Sequence, residues 1–368
     1  MVKDFFRKHI SLYARICTFI LAFCITIKLI ALASCSFADF FNRHIASLTR
    51  SLLSYLTAPL PFSLAEAIIL AAIPAAILFI LYCIFSVSKR GKLLRTVFNL
   101  IGTVFLVLSV FLFNFSVAYD CTPIEEKLDM PTGNLTVDDL YDACDIVLAD
   151  IKMHEPLIAR DERGAALMPY SYSELNKRIM AEYSKAYDKY DFLSPLYVTT
   201  KRIALSVPLS YTGIAGMYTP YTGEANINTN HAPYSVAFTV AHEMAHQRGI
   251  GPEDEANFVA FLVLYQSEDP FLRYSGLMEV FDYMTSSLYK ESPEMFIELL
   301  NSYTEEIKTE YIEHYEHIEN YDNETVREIS ETVNDTYLKT QGQTEGTKSY
   351  GLVTDLATAY FLELDEDE

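Results

Sequence analysis

Ser235-Val-Ala-Phe-Thr-Val-Ala-His242-Glu243-Met-Ala-His246-Gln-Arg-Gly249 is the stretch on which the reading of this chain turns. It is helical by composition up to Gly249, a residue suited to the position just past a helix end. Side chains four apart on a helix share one face, one turn apart. His242 and His246 can therefore aim both imidazoles at a single cation. Glu243, one step round the helix, can take a proton from water that the cation has acidified. A His-Glu-x-x-His string arises by accident in roughly one chain in a hundred of this length. The ordinary alternative is two surface histidines and a solvated glutamate. Val240, Ala241, Met244 and Ala245 speak against it, because an apolar helix buries its polar members and leaves them in need of partners.

A catalytic zinc site needs a third protein ligand and an open position. The next residues are Gly249-Ile-Gly251-Pro252-Glu253-Asp254-Glu255-Ala256-Asn257. Pro252 and Glu253 suit the first turn of a new helix, and the Gly-Ile-Gly turn sends that helix back along the first. Glu253 or Glu255 can then reach the metal. Zn²⁺ follows from the ligand types, which Mn²⁺ or Co²⁺ would also accept.

His-Glu-x-x-His followed by Glu-x-x-Ala-Asn resembles the zincin peptidases of the glutamate-ligand type. The resemblance implies that Glu253 is the third ligand, with Glu255 as the alternative. It implies that Ala256 lets the two helices approach, and that Asn257 replaces an aspartate that orients a ligand histidine. The interval between His246 and Glu253 is shorter than in thermolysin-like enzymes and closer to the metzincin spacing, with Pro252 where that branch has its third histidine. The wider layout resembles a bacterial three-span membrane family known only as a domain of unknown function, family 3810. That resemblance rests on three N-terminal spans, the Tyr218–Asn226 stretch (Tyr-Thr-Pro-Tyr-Thr-Gly-Glu-Ala-Asn) and the helix pair. It implies a zincin-like fold and no particular substrate. Tyr218, Tyr221 and Tyr274 are candidates for oxyanion or substrate contacts.

Composition breaks sharply near residue 120. Residues 1–120 hold 11 Lys+Arg against 4 Asp+Glu, a net of +7, and the remainder carries −28. An acidic domain of that strength repels nucleic acid and anionic headgroups, so nucleic-acid partners are excluded. Three apolar runs, about Ile16–Ala33, Leu64–Val87 and Val97–Tyr119, are each long enough to cross a bilayer. Lys3, Arg7, Lys8 and Arg15 precede the first, and Lys89, Arg90, Lys92 and Arg95 separate the second from the third. By the positive-inside rule the N-terminus is cytoplasmic and everything after residue 120 is extracytoplasmic, on a bacterial cell membrane. Leu32-Ala33-Ser34-Cys35 resembles a lipoprotein cleavage box, but Lys28 interrupts the apolar region and two more spans follow. Cys121 and Cys144 are the only cysteines after the spans, and both a disulfide and free thiols are compatible with that.

The expected fold is mainly α: a membrane domain over 1–120 with three transmembrane helices, a linker over 121–135, and a zincin-like domain over 136–368 with a small β-hairpin or sheet. Thr136 is the expected N-cap of a helix running to about Ile151, and a second helix is expected over Ser173–Tyr190. Tyr197–Val207 and Ile214–Ile227 have strand character. Long solvated helices are expected over 291–340, and a last one over Leu352–Leu362. The expected function is a membrane-anchored, zinc-dependent peptidase acting on peptide or protein substrates, with membrane lipid around its three spans. A catalytically inactive, membrane-tethered binding or regulatory protein on the same fold is the alternative. A channel using Arg15, Lys28 and Glu66 is disfavoured, because three spans are too few and these charges sit near span ends.

Overall fold

The computed structural model describes residues 9–86, 90–130, 132–133, 135–343 and 351–367. Lys3, Arg7, Lys8 and Lys89, on which the orientation reading leans, lie outside the described residues. The chain divides into two compact units: Met1–Cys121 with Thr219–Glu224, and Thr122–Tyr218 with Ala225–Glu368.

The first unit contains helices α1 (Leu12–Ala33), α2 (Cys35–Phe41), α3 (Ser47–Thr57), α4 (Leu64–Ser86) and α5 (Arg90–Asn114). Three of them, α1, α4 and α5, are long and apolar enough to cross a membrane. Large side chains such as Phe19, Ile73 and Phe85 stand exposed along them, which in a bilayer is their favourable solvent. Helix α1 meets α5 where Gly102 faces Ala14, so closely that a Cβ on Gly102 would lie 3.0 Å from the Ala14 Cα. Small residues at such a contact let membrane helices pack. The third span ends earlier than its hydropathy suggests. After Asn114 the chain tightens into a 3₁₀ turn over Ser116–Asp120, and Lys28 holds that turn, donating to the Ser116 carbonyl at 2.8 Å and pairing with Asp120 at 2.6 Å. The intramembrane lysine is thus neutralised within its own unit. Arg50 is likewise fully buried, held by Asn42 and by the Asn114 carbonyl.

The segment Thr219–Glu224 is part of this unit although it is remote in sequence. Ser54 donates to the Gly223 carbonyl at 2.6 Å, and Asn114 donates to the Pro220 carbonyl at 3.1 Å. The Glu224 carboxylate accepts from the backbone N–H groups of Leu64 and Ala65 and so caps the first turn of α4. Gly223 has φ 69°, and a Cβ there would fall 2.5 Å from the Ser54 backbone nitrogen.

The second unit holds α6 (Ile124–Lys127), α7 (Val137–His154), α8 (Tyr172–Lys189), α9 (Ser206–Ser210), α10 (Pro233–Gln247), α11 (Glu253–Tyr265), α12 (Pro270–Glu291), α13 (Pro293–Leu300), α14 (Glu305–Asn320), α15 (Glu324–Thr340) and α16 (Gly351–Asp367). Thr136 and Asp139 form a capping box at the start of α7. A small sheet of β1 (Lys201–Arg202), β2 (Gly216–Thr219) and β3 (Glu224–Ile227) has the order β1-β3-β2, with β1 parallel to β3. Strand content is smaller than the β-branched composition of 197–207 predicts, because Ser206–Ser210 turns into a helix whose Ser206 hydroxyl donates to the Ile203 carbonyl. Residues 121–135 also hold more structure than a linker: Ile124 is fully buried in the core. That core is centred on α10, α11 and α12, where Val240, Met244, Phe258, Phe261, Leu277 and Phe281 are all fully buried, and Leu356 and Phe361 of α16 pack onto it. Cys121 and Cys144 are not joined by a disulfide.

Gly223→Ala is expected to destabilise the detergent-solubilised chain by roughly 2–4 kcal/mol, the combined cost of a left-handed alanine and an overpacked contact. Thermal unfolding of the purified variant checks this, and an unchanged midpoint would contradict it.

Candidate metal centre

Helix α10 begins on Pro233, whose missing N–H costs nothing in a first turn. It ends at Gln247, and Gly249 just beyond the Arg248 cap takes φ 101° as the sequence pattern requires. Arg248 secures that end. Its guanidinium is fully buried, donates to the carbonyls of Met244 (2.9 Å) and Leu196 (2.6 Å), and lies 4.2 Å from the centre of the Tyr183 ring. The chain then reverses, and α11 starts at Glu253 with Pro252 as its N-cap. A carboxylate at that position also meets the positive end of the helix dipole.

The reversal brings three side chains together. Glu253 Oε2 lies 3.3 Å from His242 Nε2 and 3.4 Å from His246 Nε2. One donor atom from each residue falls within 4.8 Å of the others. The two imidazole rings stand nearly perpendicular at 89°, with centroids 4.6 Å apart. A direct charged hydrogen bond closes to about 2.7–2.9 Å. Donors on a tetrahedral zinc, each about 2.0–2.1 Å from the ion, stand roughly 3.3–3.4 Å from one another. The two spacings to Glu253 are those of the second case, and all three donor atoms lie within 4.8 Å of one another. The Ile250 carbonyl oxygen is 2.8 Å from His246 Nδ1, which places a proton on that nitrogen, while Nε2 faces Glu253. His246 is the most enclosed of the three, at 4 % side-chain exposure, with His242 at 12 % and Glu253 at 23 %.

Glu243 is buried beside this cluster. The Tyr218 backbone N–H donates to its carboxylate, while Oε2 has no hydrogen-bond partner among the described residues. Gly216 makes that geometry possible, since a Cβ there would lie 2.6 Å from Glu243 Oε1 and 2.8 Å from Thr239 Cγ2. The β2 backbone thus lies directly on α10 at the glutamate.

Burial raises the Glu243 pKa, opposed by His242 and His246. Burial also disfavours charge on His246 and Glu253, but their mutual attraction wins. His246 is lifted to about 9, and Glu253 is held far below the usual carboxylate range. Without a metal, His246 therefore carries a proton at neutral pH.

Glu255, the alternative third ligand, points elsewhere: its buried carboxylate accepts from the Ile124 backbone N–H at 3.3 Å, and burial pushes its pKa up to about 8. Asn257 is buried one turn beyond Glu253. Tyr218 stands on β2 with its backbone at Glu243. Tyr274 is fully enclosed in the core of α12, accepting from Arg160 at 3.4 Å, and is not among the residues gathered at the cluster. Sequence reasoning missed the roles of Ile250, Arg248 and the close approach at Gly216. Only the last had a signal, a glycine inside a strand pattern.

A family described as "Protein of unknown function (DUF3810)" matches residues 41–358. The chain belongs to the DUF3810 family. Neither a curated protein nor a solved structure matches it. The match runs through both helices of the cluster and through two of the three spans in full.

Because His246 must lose a proton before its Nε2 can bind a cation, zinc affinity of this DUF3810 chain is expected to rise about tenfold per pH unit between pH 6 and 8. Calorimetric titration in buffers of different ionisation enthalpy should register about one proton released per zinc. Affinity independent of pH would contradict this account of the cluster.

Proposed function

We propose that this DUF3810 member is a membrane-anchored, zinc-dependent peptidase of zincin-like fold, acting on the extracytoplasmic side of a bacterial membrane. The observation that carries the reading is the convergence of His242, His246 and Glu253 beside a buried glutamate with a partnerless oxygen. His242, His246 and Glu253 would hold the zinc. When bound, zinc polarises a scissile carbonyl and lowers the pKa of water toward ~7. Glu243 takes the proton of the attacking water and passes it to the departing amine. Its burial raises its proton affinity, which suits both halves of that transfer. The wall formed by β2 supports a peptide over a compact substrate. It is an edge strand of the sheet, and its backbone rests against Glu243, so an extended chain can add to it by main-chain hydrogen bonds. Tyr218 lies on this strand, within reach of the substrate backbone it would align.

The test uses the full chain in detergent, its metal content and its cleavage of a quenched peptide library. Parent and Glu243→Gln are expected to carry one zinc per chain and His246→Ala none. Glu243→Gln is expected to lose about 10²–10⁴-fold in turnover. Zinc without any cleavage by the parent would favour the inactive, membrane-tethered regulator instead, and a folded parent without zinc would end the peptidase reading.

A further inference from the structure

A cavity of about 450 Å³ lies within the second unit between α12, α13 and α14, and no residue of the histidine cluster lines it. Helical spacing builds it: Asp282 and Tyr289 are seven apart on α12, and Tyr311 and Tyr315 four apart on α14. Its walls are aromatic and continuous. Tyr289 meets Phe296 edge-on at 5.3 Å, Tyr303 stacks with Tyr311 at 6.0 Å, and Tyr311 stacks with Tyr315 at 6.4 Å. Its size falls within the usual range of small-molecule pockets, roughly 300–1,000 Å³.

Two polar groups in this cavity lack the partners that burial demands. The Tyr311 hydroxyl is buried with no hydrogen-bond partner among the described residues. The Asp282 carboxylate stands half-buried on the same wall, where burial pushes its pKa up to about 6, and no ion pair holds it among the described residues. The one basic residue on the lining, Lys308, is paired with Glu305 at 2.8 Å. A desolvated carboxylate without a counter-ion is costly, and tyrosine faces attract cations through their ring quadrupoles. Both deficits are met by a ligand that carries positive charge on an apolar body.

We propose that this aromatic cavity is a binding site for a small organic ammonium ion, whose cationic group sits against Asp282 among the faces of Tyr289, Tyr303 and Tyr315. Tyr311 offers its hydroxyl to a polar substituent of the same ligand. The site is independent of the histidine cluster and of the function proposed for it.

Benzyltrimethylammonium is the probe, with benzyl alcohol as its neutral counterpart and benzenesulfonate as its anionic one. Each is titrated by calorimetry into the full chain in a maltoside detergent, which carries no quaternary amine. The cation is expected to bind in the micromolar to millimolar range, the alcohol at least about tenfold more weakly, and the sulfonate not at all. Asp282→Asn, which keeps the side-chain shape, should weaken the cation about tenfold while leaving zinc content and thermal midpoint unchanged. Tyr311→Phe serves as the second variant and should retain cation binding. Equal affinity for cation and alcohol, undiminished binding by folded Asp282→Asn, or no binding by the parent would each overturn the proposal.

Discussion

A half-buried carboxylate facing two imidazoles, one of them fully enclosed, is the interaction on which the second unit depends. Each of these groups is expensive to desolvate alone. They coexist in an apolar helix pair because the Gly249 turn and the Pro252 cap place Glu253 where its charge answers both histidines. The compensation is specific to this arrangement. Removing one member strands the others in a medium that solvates them poorly. The surrounding structure holds the arrangement rigid. Arg248 ties the end of α10 to Leu196 and Tyr183, and Ile250 holds the His246 ring, so the three side chains keep their spacing.

The same logic of enclosed charge recurs through the molecule with different partners. Lys28 reaches Asp120 and a carbonyl, and Arg50 reaches Asn42 and Asn114, so these two cations of the membrane unit are held within it. Glu224 spends its charge on the first turn of α4. Glu255 is settled against the Ile124 N–H and Glu310 against Arg160. Glu243 and Asp282 differ from these: Glu243 keeps a buried oxygen with no hydrogen-bond partner among the described residues, and Asp282 stands half-buried on the wall of a cavity.

Much of this was legible in the sequence, for identifiable reasons. The spans follow from apolar length, and the start of α7 follows from Thr136 and Asp139, because capping is a local interaction. The His242–His246 pair follows from the four-residue period, and the turn from Gly249 and Pro252. What failed to show was whatever depends on long-range packing. Val207 has strand character but lies in a helix anchored by Ser206. Nothing local distinguishes Glu253 from Glu255. One faces the histidines and the other faces Ile124, 131 residues away, and only the folded chain separates them. Tyr274 was one tyrosine among 26, and its burial against Arg160 is a tertiary fact. The membership of Thr219–Glu224 in the membrane unit was equally invisible, since its hydrogen bonds span more than 100 residues of chain.

The most direct test of the central claim is X-ray absorption spectroscopy of the zinc-loaded full chain. The account predicts two imidazole nitrogens and one carboxylate oxygen at about 2.0–2.1 Å, with a further light-atom ligand at the open position. Sulfur ligation, an all-oxygen shell, or a folded chain that takes up no zinc would contradict it.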